Sequence, residues 1–380
     1  MKLVFLSNYL NNHQLPLCQA LYRLHSSNFT FVATERVSEM RLQLGYPDMD
    51  RDYPFVLCAY ADEAQRREAQ QLTNDADVVI LGSAPMSYLQ TRLKAGKLTF
   101  LYSERLYKTG YQAWKLPVRL WRFWKHYGRY PSLYLLCASA YTAADFAKTC
   151  TFLNKAYQWG YFPAVQAYDS PPAKTPRSLL WAGRFLDWKH PEHAIEVARR
   201  LAAEGYDFRM TMLGNGPEWE AMQSLVKDLG LADRISLPGA VPSEAVRGYM
   251  EKAQIFLFTS DRNEGWGAVL NESMNSGCGV VACSAIGSVP FLLQDGQNGL
   301  TYPSRDVDAL YARVKQLLDE PQTCQSLGQQ AYETMATAWN AETAANRLLA
   351  LCNAILSGDP RPNLYETGPC SKACILKDEI

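Results

Sequence analysis

The stretch Phe256-Leu257-Phe258-Thr259-Ser260-Asp261-Arg262-Asn263-Glu264-Gly265-Trp266-Gly267-Ala268-Val269-Leu270-Asn271-Glu272 carries the decisive pattern. The run Ile255–Thr259, which starts one residue earlier and opens it, has the length and apolar composition of a buried strand. A polar loop, Ser260–Asn263, follows, then two glycines, then a helix-patterned segment, Val269–Ser276. Glycines just before a helix let backbone N–H groups approach a phosphate, and the helix dipole favours its negative charge. Glu264 falls in the loop and Glu272 on the helix. Carboxylates repel phosphate but accept hydrogen bonds from hydroxyls, so these two are expected to flank a nucleotide's phosphates rather than face them.

The same alternation continues on both sides. Downstream of residue 177, strand-like runs at Ser178–Ala182, Arg209–Leu213, Ile235–Leu237 and Val280–Cys283 interleave with helix-patterned Glu192–Ala203 and Glu218–Leu229. In the first half, runs at Leu3–Leu6, Phe29–Ala33, Val78–Leu81, Leu98–Tyr102 and Leu133–Ala138 interleave with Leu15–Leu24, Ala61–Leu72 and Pro117–Tyr127. Strands alternating with helices predict an α/β fold with parallel, doubly wound sheets. Residues 170–177, Ser-Pro-Pro-Ala-Lys-Thr-Pro-Arg, continue neither element and read as a linker. Two Rossmann-like domains are therefore expected, 1–172 and 173–338, facing each other across a ligand cleft at the carboxyl ends of the strands. Residues 339–380 supply a last amphipathic helix, Trp339–Leu356, as a candidate crossover to the first domain, then a polar tail expected to be loosely ordered.

Composition limits the classes. A chain of 380 residues exceeds one ordinary core and suits two. Its 38 basic and 38 acidic side chains balance, giving no global pull toward nucleic acid. The ten cysteines are scattered without a CxxC pair and are expected as buried thiols in a reducing compartment. The opening Met-Lys-Leu-Val-Phe-Leu-Ser-Asn is too short in apolar content for a signal peptide, and no run suffices to span a bilayer. A cytoplasmic protein is expected, with peripheral contact at the inner membrane face as an option.

Five segments, taken in order and spacing, resemble retaining glycosyltransferases of family 4, which have the GT-B fold. They are the Glu264–Glu272 segment, Trp181-Ala182-Gly183-Arg184-Phe185 with Lys189, Met212-Leu213-Gly214-Asn215-Gly216-Pro217, Leu237-Pro238-Gly239-Ala240-Val241, and Asn298-Gly299-Leu300. The likeness covers residues 178 to about 350 well and the first half in outline. It implies that Arg184 and Lys189 neutralise a diphosphate leaving group, that Glu272 holds ribose hydroxyls, and that Glu264 holds the donor sugar. It further places Gly183, Gly214, Val241, Gly265 and Trp266 along the donor, with the amides of Gly267, Ala268 and Val269 at the phosphates. The chemistry agrees, because a guanidinium fork and an ammonium can stabilise a departing diphosphate without a metal. The sequence departs from the family at Gly287-Ser288-Val289-Pro290-Phe291, where Pro-Glu usually follows the glycine.

The implied activity is a metal-independent hexosyltransferase. It moves a sugar, with retention, from a nucleotide diphosphate sugar to an acceptor hydroxyl in bacterial surface polysaccharide or glycolipid synthesis. A UDP-sugar is the favoured donor, with no separate cofactor, and a glycan or lipid-linked acceptor is the partner. A sugar-nucleotide epimerase or hydrolase of the same fold and a non-catalytic nucleotide-sugar-binding module are the alternatives. Asp48-Met49-Asp50 and Asp306-Val307-Asp308 spell Asp-x-Asp, a cation-binding pattern in another architecture. Here one lies in a Pro- and charge-rich loop and the other at a helix start, where Asp commonly caps.

The acceptor side is less explicit. The first strand runs into Asn8-Tyr9-Leu10-Asn11-Asn12-His13-Gln14, where relatives carry glycines. Asn11, Asn12 and His13 are candidates to reach the ligand, the alternative being a helix N-cap region. After Leu98–Tyr102 come Glu104 and Arg105, which either meet the acceptor or brace the strand end as a pair. From Arg105 to Ala144 there are seven Lys or Arg and no acid. Lys115, Arg119, Arg122 and Arg129 recur at helical steps among Trp114, Trp121 and Trp124. A basic, aromatic helix suits an anionic membrane surface; the alternative is a solvated basic face with the tryptophans in the core. No recognised nucleic-acid module accompanies it.

Overall fold

A computed structural model describes residues 1–43, 47–108 and 110–376. Two compact units result: Met1–Ala164 joined by residues 340–376, and Val165–Trp339.

The first unit is built on seven parallel strands: β1 (Leu3–Ser7), β2 (Phe29–Ala33), β3 (Val56–Cys58), β4 (Val78–Leu81), β5 (Thr99–Ser103), β6 (Leu133–Cys137) and β7 (Ala156–Gln158). They lie in the order β3-β2-β1-β4-β5-β6-β7. β1, β4 and β6 are buried along their whole length, as strands covered on both faces by helices must be. The order reverses between β1 and β4, so the loop after β1 stands at the topological switch point.

Arg92 is buried in this unit and donates to the carbonyls of Thr73, Ala76, Asp77 and Leu98 and to Thr99 Oγ1. It stitches the end of the helix Glu63–Asp75 to β5. The final helix, Ala341–Leu356, packs on Leu15–His25, with Arg23 and Glu342 paired at 2.6 Å.

The polar tail, expected to be loosely ordered, instead lies along β7. The Cys370 amide donates to Gln158 O at 2.8 Å, the Gln158 amide to Ser371 O at 2.8 Å, and the Ala373 amide to Ala156 O at 3.0 Å. Tyr134 and Tyr157 donate from their hydroxyls to Pro360 O and Pro362 O. An edge strand offers unpaired backbone groups, and the tail satisfies them. Side-chain polarity carries no record of such pairing.

In the second unit six parallel strands, β8 (Thr175–Ala182), β9 (Arg209–Leu213), β10 (Ile235–Gly239), β11 (Ala253–Phe258), β12 (Gly279–Cys283) and β13 (Leu300–Tyr302), are ordered β10-β9-β8-β11-β12-β13. Here the reversal falls between β8 and β11, the two strands whose following loops carry Arg184, Lys189 and Glu264. The expectation of two Rossmann-like parallel sheets is met. The strands that periodicity did not reveal are β3, β7 and β13, each of three residues and too short to display a period.

All ten cysteines are free, but Cys150 and Cys374 are exposed, against the expectation of uniform burial. Among the described residues, no helix is long and apolar enough to cross a membrane.

Candidate active site

The loops after β8 and β11 are tied together from their backbones outward. The Trp181 indole donates to Thr259 Oγ1 at 2.8 Å, and Thr259 Oγ1 donates to Lys189 O at 2.6 Å. The Asp261 amide donates to Trp188 O at 2.9 Å. These bonds aim the Lys189 ammonium at the Glu264 carboxylate, with which it forms an ion pair. Each side chain is only 13% exposed. Ser260 Oγ adds a donor to the same carboxylate at 3.1 Å. Behind it, the Glu264 amide donates to Asp261 O and the Gly287 amide donates to Glu264 O. The Gly287–Ser288 segment, where the family pattern lapses, thus still buttresses this turn.

Glu272 sits one turn into the helix Val269–Asn275 and is half-buried. Burial pushes its carboxyl above the ordinary value, and the nearby Arg247 guanidinium offsets part of that rise. Its carboxylate accepts no hydrogen bond among the described residues. Trp266 is buried, donating from its indole to Asn271 Oδ1 at 2.8 Å and packing against Phe291 and Trp339. Only its backbone is available to a ligand. Gly267 takes φ +84°, and a Cβ there would fall 2.3 Å from the Phe258 ring. The first amides of the helix, with Ala268 and Val269, have no intrahelical acceptor.

Arg184, in the loop after β8, is exposed. Gly214 has a structural reason to be glycine. A Cβ on Gly214, at φ +128°, would lie 1.8 Å from Gly183 O, so the loops after β8 and β9 touch backbone to backbone. Val241 follows β10 and is half-buried.

Sequence reasoning missed a second network immediately behind Lys189. His190 Nδ1 lies 2.8 Å from Glu192 Oε1, and its Nε2 lies 3.6 Å from Asp261 Oδ2. Asp261 and Glu192 together push the His190 pKa up to about 9. Burial and then the charge on His190 hold His193 below its ordinary value, so the proton resides on His190. The signal was the contiguous Lys189-His190-Pro191-Glu192-His193 with an acid, Asp261, in the facing loop. Ligand atoms of His190, Glu192 and His193 lie within 4.8 Å of one another. The two imidazoles stack at 4.6 Å and 8°, however, so their in-plane lone pairs do not converge on one point. The group fits an ion-pair chain better than a metal centre.

A consequence concerns pH. A histidine whose pKa is raised on folding contributes stability that is full below its unfolded value, 6.5, and lost as pH rises through about 9. His190→Gln is expected to abolish that contribution, of order 1–3 kcal/mol, at pH 6 while changing little at pH 10. Urea melts of both proteins at the two pH values check this; an equal difference at both contradicts it.

In the first unit the loop after β1 folds on itself. Asn11 Oδ1 accepts from the amides of His13 and Gln14, at 3.0 and 3.1 Å, a local turn that leads into the helix Leu15–His25, whose N-terminus has no side-chain cap. Asn12 is exposed. His13 lies against Tyr161, their rings 5.6 Å apart and nearly parallel. Burial lowers its pKa, and its Nδ1 is buried without a hydrogen-bond partner.

The Tyr161 hydroxyl donates to Glu104 Oε1, and Lys108 Nζ pairs with Glu104 Oε2 at 2.7 Å. Tyr161, absent from the sequence-based candidates, therefore joins His13 to Glu104. Arg105 does not pair with Glu104. It is buried 3.9 Å from Asp145 and 4.8 Å above the Tyr141 ring.

Both Asp-x-Asp pairs have local work. Asp50 is buried and accepts the Leu10 amide at 2.8 Å, fixing the loop after β1. Asp306 caps the helix Val307–Asp319 by accepting the Ala309 amide at 2.8 Å.

The family match falls on the second unit. Residues 167–334 match the family of glycosyl transferases group 1. A putative colanic acid biosynthesis glycosyltransferase, WcaL, of Salmonella typhimurium is 33% identical over 181 residues, 46% of this chain and 44% of the relative. A GDP-mannose-dependent α-(1-6)-phosphatidylinositol monomannoside mannosyltransferase of Mycolicibacterium smegmatis is 28% identical over 180 residues, 46% of this chain and 47% of the relative. The chain thus spans less than half the length of these relatives. Anabaena HepE in complex with UDP superposes with a TM-score of 0.66 at 15% identity, over 93% of this chain and all of that one. At that identity the likeness bears on fold alone, and the fold is GT-B. The region that resembles glycosyl transferases group 1, residues 167–334, contains Lys189, Glu264 and Glu272.

Proposed function

We propose that the protein transfers a sugar from a nucleotide diphosphate sugar to an acceptor hydroxyl in bacterial surface polysaccharide or glycolipid synthesis, as a retaining enzyme of family 4. The observation that carries this is the Lys189–Glu264 ion pair and the half-buried Glu272, whose carboxylate accepts no hydrogen bond among the described residues, all at the β8/β11 switch point of the matched region. In the donor-bound state Lys189 and Arg184 meet the β-phosphate. The amides of Gly267, Ala268 and Val269 approach the phosphates, and Glu272 accepts from the ribose hydroxyls. Glu264, released from Lys189, accepts from the donor sugar.

The C1–O bond to the β-phosphate then breaks as the acceptor oxygen bonds to C1 on the same face. The acceptor proton passes to a leaving phosphate oxygen. Two cationic side chains supply the charge stabilisation, so transfer is expected to persist in a chelator. Glu104, held by Tyr161 and Lys108, serves the acceptor in the first unit.

UDP in the HepE complex supports a UDP-sugar, whereas the mannosyltransferase is GDP-mannose-dependent; the base is therefore the first thing to test. A thermal-shift panel of nucleotide sugars should raise the melting temperature for one base and one sugar, since a ligand of the native state stabilises it. No shift with any member would refute the proposal, and rapid turnover without acceptor would favour a hydrolase or epimerase.

A further inference from the structure

Helix Leu116–Phe123, with the single turn Ala113–Lys115 before it and the wider turn Trp124–Gly128 after it, has no buried residue among those described. It is fastened to the first unit from one side only. Phe123 and Tyr127 pack on Phe146, and Tyr127 also on Phe152. Arg119 lies over the rings of Tyr107 and Tyr111. The opposite side stands in solvent: Trp114 is 77% exposed, Val118 68%, Trp121 63% and Trp124 58%. The alternative in which these tryptophans fill the core is thereby overturned. Exposing three indoles and a valine side by side is costly unless something covers them.

The charge around them is of one sign. Residues 105–144 contain seven Lys or Arg and no acid. Arg122, Lys125 and Arg129 are exposed, and Lys115 and Lys125 each sit over a tryptophan of the stripe, at 4.8 and 5.1 Å. Indole rings prefer the headgroup layer of a bilayer, and ammonium and guanidinium groups pair with lipid phosphate. A soluble polyanion would engage the cations and leave Val118 and Trp114 in water. A bilayer covers both.

We propose that the segment Ala113–Gly128 docks this protein on an anionic lipid bilayer, its tryptophans entering the headgroup layer and its cations facing lipid phosphates. The docking goes beyond the transfer reaction and does not rest on it. Loss of nucleotide binding leaves docking unchanged, and loss of docking leaves the donor-induced thermal shift unchanged.

Flotation with phosphatidylglycerol–phosphatidylcholine vesicles tests it. The protein is expected to float with these and not with phosphatidylcholine alone. Arg122→Glu with Arg129→Glu, at exposed positions, should lower the bound fraction at least about tenfold, as should Trp121→Ser with Trp124→Ser. Melting temperatures matching the parent's verify that the variants fold. No flotation, unchanged flotation of the charge-reversed variant, or binding to heparin or RNA that vesicles do not displace would each overturn the proposal.

Discussion

Replacing Lys189 by methionine is expected to lower kcat/KM for sugar transfer by about 10²–10³-fold, the loss seen when one donor to a developing anion is removed from an enclosed site. The same change strands Glu264, which is 13% exposed, as an unpaired carboxylate beside Ser260. Breaking such a pair from one side costs roughly 3 kcal/mol of stability. The double variant, Lys189→Met with Glu264→Gln, should recover most of that stability, because a neutral amide tolerates the site. It should recover none of the activity. Stability and turnover measured on the wild type, the two single variants and the double variant therefore separate a catalytic ammonium from a structural one. A double variant that regains turnover would assign Lys189 to the fold.

The second large effect has opposite signs in two measurements. Glu272 is half-buried, desolvation raises its pKa, and no protein group bonds its carboxylate among the described residues. A carboxyl whose pKa rises on folding contributes stability that is full below its unfolded value, 4.5, and lost as pH climbs through the folded value. At neutral pH it is therefore a liability. Glu272→Gln is expected to raise the melting temperature at pH 7, with the gain vanishing near pH 4. The variant should bind nucleotide sugar about 10–100-fold more weakly, the worth of a charged acceptor facing hydroxyl donors. Calorimetry and thermal melts of one variant read both. A gain in stability without loss of affinity would remove Glu272 from the ribose site.

Much of this was legible from sequence because function and fold share a location. The glycines and the two acids of the segment Glu264–Glu272 announce a strand–loop–helix turn, and such turns lie at the strand order reversal. The long buried strands were equally plain, since uninterrupted apolar runs such as Leu133–Cys137 have few other uses.

What escaped was tertiary. Nothing in Tyr161 marks it as the group that joins His13 and Glu104, because the partners lie 57 or more residues upstream. Arg105 was expected to meet the acceptor or to brace the strand end with Glu104, yet it lies buried beside Asp145, forty residues later. The tail looked mobile by composition, while its order comes from backbone bonds to β7 that no side chain advertises. Helical periodicity put Lys115, Arg119, Arg122 and Arg129 on one face. The wider turn at Trp124–Gly128 shifts that register, and the tryptophans face outward with the cations.

The central claim is that the β8/β11 loops bind the diphosphate of a nucleotide sugar. A crystal structure with the nucleoside diphosphate selected by the thermal-shift panel tests it most directly. The account predicts the β-phosphate within hydrogen-bond distance of Lys189 Nζ and the Arg184 guanidinium, the ribose hydroxyls on Glu272, and Glu264 parted from Lys189. A nucleotide bound elsewhere, or bound with the Lys189–Glu264 pair intact and Glu272 untouched, would contradict it.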